Sequence, residues 1–300
     1  MRLHLFAPAK VNWTLEVLGR REDGYHEVMT VLQTLDIGDR VTLSPSDEVQ
    51  VQVRGRAGGL AEEPPEQNLA FRAAMALRQE VGGKSPGALI ELEKVVPAAA
   101  GLGGGSSDAA AVLRGLNALW GLGLSREELS VIGSRLGADV PFFLNGGTAQ
   151  ASGRGEDVTP LPDVPSRRLL IVVPPGAIPG KTAEMYRRLT PEHYTEGERT
   201  RRLVDKLTAG GSVADDDIFN VFERVLAEVV PAAAAAIERC REAGLGQPHL
   251  AGSGPAFFFL LPEGEETPSF REGFLLEAGL ELFYAGTLDS KTSTTWREEV

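Results

Sequence analysis

Apolar and polar positions alternate through the first part of the chain. LHLFA (residues 3–7) is a short apolar run, and VNWTLEVLG (11–19) has the two-residue period of a half-buried strand. HEVMTVLQTLD (26–36), DRVTLSP (39–45) and EVQVQVRG (48–55) predict further strands, each set off by turn residues. At NLAFRAAMALRQEVG (68–82) the spacing changes to that of an amphipathic helix, and GALIELEKVV (87–96) returns to a strand. Ser125 and Glu128 form a capping-box pattern ahead of a short helix that ends at Gly137.

Between residues 152 and 168, SGRGEDVTPLPDVPSRR turns rich in glycine, proline and charge, which marks a domain boundary. The division expected is residues 1–160 and 161–300. RLLIVVPP then begins a second α/β unit. Its helices are predicted at KTAEMYRRL, from near ERTRRLVDKL, and at PAAAAAIERCREAG, where Pro231 suits a first turn. HLAGSGPAFFFLLP reads as two strand segments joined by a tight Gly-Ser-Gly turn. The fold class expected is mixed α/β, and no internal repeat is present.

A chain of 300 residues, 42% hydrophobic and 24% charged, fits a soluble globular protein of two ordinary domains. Its net charge of -12 argues against general nucleic-acid binding, which needs basic surfaces. Cys240 is the single cysteine, so no intrachain disulfide forms, and its helical setting reads as structural. No targeting segment and no apolar run long enough for a membrane span is visible, so a cytoplasmic protein with no membrane partner is expected.

The chemistry concentrates in PAAAGLGGGSSDAAA (97–111), where four glycines occupy five positions before an alanine-rich helix. A strand, glycines and a helix start aim backbone N–H groups at an anion, and the helix dipole favours negative charge there. The lysine-bearing nucleotide loop GxxxxGK[ST] is absent, and so is the dinucleotide fingerprint. The pattern by itself indicates a phosphate site and no more. A glycine-rich turn with a serine cap remains the plain alternative.

PAAAGLGGGSSDAA resembles the phosphate loop of the GHMP small-molecule kinases. PAKVN (8–12) and AGSGPA (251–256) resemble two further blocks of that family in the same order. PAKVNWTLEVLGRREDGYHEV and GADVPFFLNGGTAQASGRGE are similar to its members that act on a cytidine diphosphate-linked methylerythritol. The likeness runs over most of residues 5–260. It implies a two-domain GHMP kinase fold with the active site in the cleft between the domains. The implied reaction is ATP-dependent phosphorylation of that substrate's 2-hydroxyl, a step toward isoprenoid precursors made without mevalonate.

The resemblance assigns Asp139 as general base and Lys10 as its electrostatic partner, although by type alone Asp139 would as readily turn the backbone and Lys10 would be solvated. ATP would lie on Pro97, Ala99, Ala100, Gly101, Leu102, Gly103, Gly104, Gly105, Ser106 and Ser107. Asn68 would lie near the adenine, and it is equally a sound helix N-cap. Mg²⁺ is expected with the phosphates, and Ser107 is the one protein ligand suggested. Tyr25 and His26 of DGYH, with Tyr186 as a second aromatic, would hold the cytosine; for Tyr186 an ordinary buried face of a helix is the competing reading. Asn12 would contact the polyol or its phosphates, and Gly252, Ser253 and Gly254 would support substrate phosphates, or form a simple hairpin. His4, His193 and His249 have no metal-ligand spacing.

Two departures stand out: Trp13 occupies a position where a smaller apolar residue is usual, and DSKTSTTWREEV at the C-terminus resembles nothing and is expected to be a partly disordered tail. A kinase for mevalonate, homoserine or a sugar is the competing enzyme, and a catalytically silent nucleotide-binding protein the competing class. DGYH with GADVPFF argues against the first, and Lys10 with Asp139 against the second. A monomer or homodimer is compatible with all of these.

Overall fold

The computed structural model describes residues 2–56, 63–83, 86–176, 180–262 and 270–299. In chain order the elements are β1 (Arg2–Arg20), β2 (His26–Ser46), β3 (Gln50–Gly55), α1 (Leu69–Glu80), β4 (Gly87–Lys94), α2 (Gly104–Leu119), α3 (Arg126–Ser134) and α4 (Val140–Asn145). There follow β5 (Thr148–Ser152), β6 (Asp157–Pro160), β7 (Arg168–Val173), α5 (Lys181–Arg188), α6 (Glu198–Thr208), β8 (Phe219–Asn220), α7 (Leu226–Val229) and α8 (Pro231–Ala243). The chain closes with β9 (His249–Leu250), β10 (Phe257–Leu260), α9 (Glu272–Glu277), β11 (Glu281–Gly286), α10 (Ser290–Ser293) and β12 (Trp296–Glu299).

The strands form two sheets. The larger runs β12-β1-β2-β4-β3, with the β5–β6 hairpin joined to β2 and β8 joined to β1; the smaller runs β11-β7-β10-β9. One face of the larger sheet is covered by α1 to α4, in a core that includes Leu43, Ile90, Leu113 and Phe142. Its other face meets the smaller sheet, where Trp13 packs edge-on against Phe258 at 5.8 Å between ring centroids. The outer face of the smaller sheet is sealed by α8 and α9. Two covered faces explain the unbroken apolar runs of β7 and β10. In β7, Leu169, Ile171 and Val173 point to the inter-sheet core, and Leu170 and Val172 point to α8.

Two predicted pairs of strands are each one long strand. LHLFA and VNWTLEVLG are both in β1, and the two segments around Gly38 are both in β2. Pro8 and Gly38 face each other across the ladder, and the register shifts just beyond, between Pro8 and Lys10. These residues make a bulge that bends a continuous pair rather than a break in the chain. The boundary segment begins as the β5–β6 hairpin, in which Ser152 pairs with Asp157.

The expected disordered tail is a further correction. Residues 263–269 lie outside the described residues, but α10 forms and β12 pairs antiparallel with β1 from Arg2 to Leu5. An edge strand gains its stability from backbone pairing, so WREE joins the sheet without an apolar pattern. Gln33 and Thr34 also donate to the Leu288 carbonyl at 2.9 and 3.0 Å, tying this segment to β2. Cys240 is buried among apolar side chains, which pushes its thiol up to about 12.

Candidate active site

β1 is paired by β12 at Arg2–Leu5 and by β8 at Thr14–Leu15, so between them its outer edge has no strand partner among the described residues. The glycine loop fills that gap. The Lys10 amide donates to the Leu102 carbonyl at 2.9 Å, which fastens the loop to the strand carrying Lys10 and Asn12. Beside this junction lies a cleft of about 1000 Å³. Among the described residues its walls carry Lys10, Arg20, Arg135, Arg154 and Arg187 and the carboxylate of Asp139. Arg135, Arg154 and Arg187 pair with Glu80, Glu156 and Glu184 off the wall. In a chain of net charge -12, the positive groups on this wall, Lys10 and Arg20 foremost, suit anionic ligands.

Gly103 is the left-handed N-cap of α2, with φ of 76°. A Cβ there would lie 2.7 Å from the Phe143 ring and 3.0 Å from Lys10 Cγ, so only glycine fits the approach. Gly101 is also left-handed, and a Cβ on it would collide with the Ala251 carbonyl oxygen. Gly101, Gly103 and Ser106 line the cleft. Ala100 and Leu102 turn their side chains into the inter-sheet core, leaving only backbone groups for a ligand. Pro97 and Ala99 in the loop and Gly104 and Gly105 in the first turn of α2 lie outside the cleft wall, and Ala99 has a left-handed φ of 54°. Asn68 caps α1 by accepting from the Ala70 amide at 2.9 Å and is also off the wall.

Ser107 is only 1% exposed, and its hydroxyl has no hydrogen-bond partner. Among the described residues no group of three or more His, Cys, Asp or Glu side chains is arranged to hold a metal ion. Asp108, next along α2, belongs to a buried cluster beneath the loop. The Lys94 ammonium reaches Asp108 Oδ2 at 2.5 Å and also pairs with Asp39. Asp39 Oδ1 accepts from the Val95 and Val96 amides at 2.6 and 2.8 Å. Burial raises the Asp108 carboxyl to about 7, against the pull of Lys94 and with the help of Asp39. Burial works to lower Lys94, and the two carboxylates outweigh it and hold the ammonium above its usual value.

Lys10 is 4% exposed and donates from Nζ to Asn12 Oδ1 at 2.7 Å. Asn12 passes the chain on to Thr30 Oγ1 at 2.8 Å, which fixes its amide. Asp139 Oδ2 lies 3.8 Å from Lys10 Nζ. Asp139 stands at the N-cap position of α4, yet its side chain makes no capping hydrogen bond, so its oxygens stay available in the cleft. Burial lowers Lys10 below its ordinary value and Asp139 partly restores it.

At the aromatic end His26 stacks on Tyr186, with centroids 5.0 Å apart and an interplanar angle of 23°. Phe222 meets Tyr186 edge-on at 4.9 Å and Tyr194 stands edge-on to His26 at 6.1 Å. Burial and then the Arg20 charge depress His26, which favours the neutral imidazole. The Tyr186 hydroxyl is pushed up by burial and then by Asp139, and both side chains line the cleft with Lys10 and His26. Tyr25 is 58% exposed, with the Arg154 guanidinium 5.1 Å from its ring centroid.

Gly252 and Ser253 line the cleft, and Gly254 is the left-handed residue that closes their turn. Asn220 anchors this turn by donating to the Leu250 and Gly252 carbonyls at 2.9 and 2.7 Å. Lys181 donates to the Ser253 carbonyl at 3.0 Å, and Thr182 meets the Ser253 hydroxyl at 2.8 Å. Asn220, Lys181, Arg154, Asp39 and Lys94 escaped the sequence reading. No local spacing marks Asn220, Lys181, Asp39 and Lys94, because each meets its partner across distant segments, and Arg154 pairs locally with Glu156 but reaches Tyr25 from a distant hairpin. His249 bonds Asp215 at 2.8 Å inside the fold, away from any metal grouping among the described residues.

Residues 68–147 match the family described as GHMP kinases N terminal domain. The 4-diphosphocytidyl-2-C-methyl-D-erythritol kinase of Dehalococcoides mccartyi is 42% identical over 262 residues, 87% of this chain and 90% of that protein. The enzyme of the same name from Geobacillus thermodenitrificans is 40% identical, covering 87% and 89%. A crystal structure of 4-(cytidine 5'-diphospho)-2C-methyl-D-erythritol kinase superposes with a TM-score of 0.74 at 35% identity, covering 95% of this chain and 98% of that one. A homoserine kinase from Cytophaga hutchinsonii, at 18% identity and a TM-score of 0.66, shares the fold alone.

Proposed function

Since the chain belongs to the 4-diphosphocytidyl-2-C-methyl-D-erythritol kinases of the GHMP kinase family, we propose that its cleft holds ATP and the cytidine-linked alcohol together, with Asp139 as general base. The enzyme is an ATP-dependent small-molecule kinase that phosphorylates 4-diphosphocytidyl-2-C-methyl-D-erythritol at its 2-hydroxyl, giving the 2-phosphate and ADP. The observation that carries the division of roles is the Lys10–Asp139 pair at 3.8 Å, which meets the glycine loop through Lys10 and shares its cleft with His26 and Tyr186.

Phosphoryl transfer depends mainly on positioning and charge stabilisation, with a group to take the hydroxyl proton. In this reading the amides of the glycine loop and the start of α2 hold the ATP phosphates. Lys10, 3.8 Å from Asp139, steadies charge on the transferring group, while Asn12 fixes the ammonium's direction. Asp139 accepts the proton of the 2-hydroxyl. The cytidine diphosphate lies toward Tyr25, His26 and Tyr186, where the neutral imidazole both donates to and accepts from a base edge. Gly252, Ser253 and Gly254 back the phosphates.

Mg²⁺ fits this site as a companion of ATP. The unpartnered Ser107 hydroxyl would contribute to holding it, and the ion would neutralise phosphate charge when bound. We read the two lobes as residues 1–160 and 161–300, with β8 and β12 of the second completing the sheet of the first. A cytoplasmic location accords with the substrates and with the absence, among the described residues, of any helix long and apolar enough to cross a membrane.

Replacing the base separates chemistry from binding. Asp139→Asn is expected to lower turnover by about 10²–10⁴-fold while the dissociation constant for ATP, measured by calorimetry, changes little. Turnover near the wild-type value would remove Asp139 from the role.

A further inference from the structure

Lys181 opens α5 and is 4% exposed. Its ammonium donates to the Ser253 carbonyl at 3.0 Å and the Ser253 hydroxyl at 3.3 Å. Among the described residues no carboxylate pairs with it. Burial, and then repulsion from Lys10, push it down to about 8. An unpaired buried cation is costly, and a ligand of opposite charge removes that cost. The turn that Lys181 grips lines the cleft. In the same turn a Cβ on Gly252 would lie 3.0 Å from Lys10 Nζ. Two buried ammonium groups therefore adjoin one backbone turn, and among the described residues Asp139 is the one acid paired with either of them. A lysine that only held the turn would need its N–H donors and not its charge.

We propose that Lys181 supplies the second positive charge at the phosphate end of the cleft, stabilising a phosphate group seated over the Gly252–Ser253 turn. The inference rests on the kinase reading and deepens it. Two phosphate-bearing ligands enter the cleft, the nucleotide donor and the diphosphate of the acceptor. The chemistry of the site is the same for both, and binding measurements separate them. Thr182, hydrogen-bonded to Ser253 and lining the same wall, gives the phosphate a neutral hydroxyl donor beside the charge.

Two variants divide charge from hydrogen bonding. Lys181→Gln keeps a donor for Ser253 and loses the charge, whereas Lys181→Arg keeps both. Calorimetry with CDP, cytidine, ADP and inorganic pyrophosphate gives the readout, with thermal unfolding to check that each variant folds. The glutamine variant is expected to bind CDP and pyrophosphate about tenfold or more weakly while cytidine affinity is unchanged, and the arginine variant to recover most of the loss. A loss on ADP in place of CDP would assign the phosphate to the donor nucleotide and support the same charge role. A folded Lys181→Gln protein that binds CDP, ADP and pyrophosphate within twofold of wild type would overturn the inference and leave the kinase reading standing. Wild-type protein that neither binds CDP nor turns over would instead sink the kinase reading, and the pyrophosphate comparison would still judge Lys181.

Discussion

Tyr25 and His26 sit side by side in the chain and do different work in the fold. His26 is stacked on Tyr186, whereas Tyr25 stands exposed beneath the Arg154 guanidinium. A base bound here gains stacking worth roughly 1–3 kcal/mol from an aromatic face. Tyr25→Ala is therefore expected to raise the KM for the cytidine substrate about 5- to 150-fold and leave the KM for ATP within twofold. Steady-state kinetics with each substrate varied in turn makes the comparison, and equal rises in both would mean that Tyr25 serves the fold. The DGYH stretch drew attention in the sequence through its resemblance to a family block, since His26 by itself reads as an ordinary strand-end histidine. Arg154 drew none, since it arrives on a hairpin whose glycines and charges look like a linker.

At the scale of elements, the loop before α2 was legible from its glycines, and the support beneath it was not. Asp39 from β2, Lys94 from β4 and Asp108 from α2 meet only after the sheet has paired and the helix has docked. The lysine between two carboxylates makes the cluster intolerant of losing its cation. Lys94→Met is expected to destabilise the protein by about 3–5 kcal/mol in urea unfolding. Asp108 responds in the opposite sense to an ordinary surface carboxylate. Its folded value near 7 lies above the ordinary 3.8, so its contribution is fully present at low pH and is lost as pH rises through that interval. Asp108→Asn removes this loss. The melting temperature of the variant relative to wild type should climb between pH 4.5 and pH 8, and a difference that stays flat would contradict the buried, proton-holding carboxyl. The bulge at Pro8 and Gly38 misled the reading of strand ends in the same region, because both residues usually signal turns and here bend a paired ladder.

For the whole molecule, two sheets back to back give β1 a buried face on each side and leave part of its outer edge open. The glycine loop occupies that edge, and the cleft opens beside it with ammonium and guanidinium groups on its walls. The family blocks at residues 8–12, 97–111 and 251–256 were legible because each holds a backbone conformation or a reacting group that few residues satisfy. The C-terminal strand was not, because β12 is held through the backbone of β1 and carries no apolar signature. The central claim is that this arrangement phosphorylates a cytidine diphosphate-linked alcohol. It is tested most directly by coupled ADP release with purified protein, ATP, Mg²⁺ and separate acceptors: 4-diphosphocytidyl-2-C-methyl-D-erythritol, mevalonate and homoserine. Turnover with the cytidine compound and none above background with the others is the predicted result; turnover with another alcohol and not with the cytidine compound would contradict it.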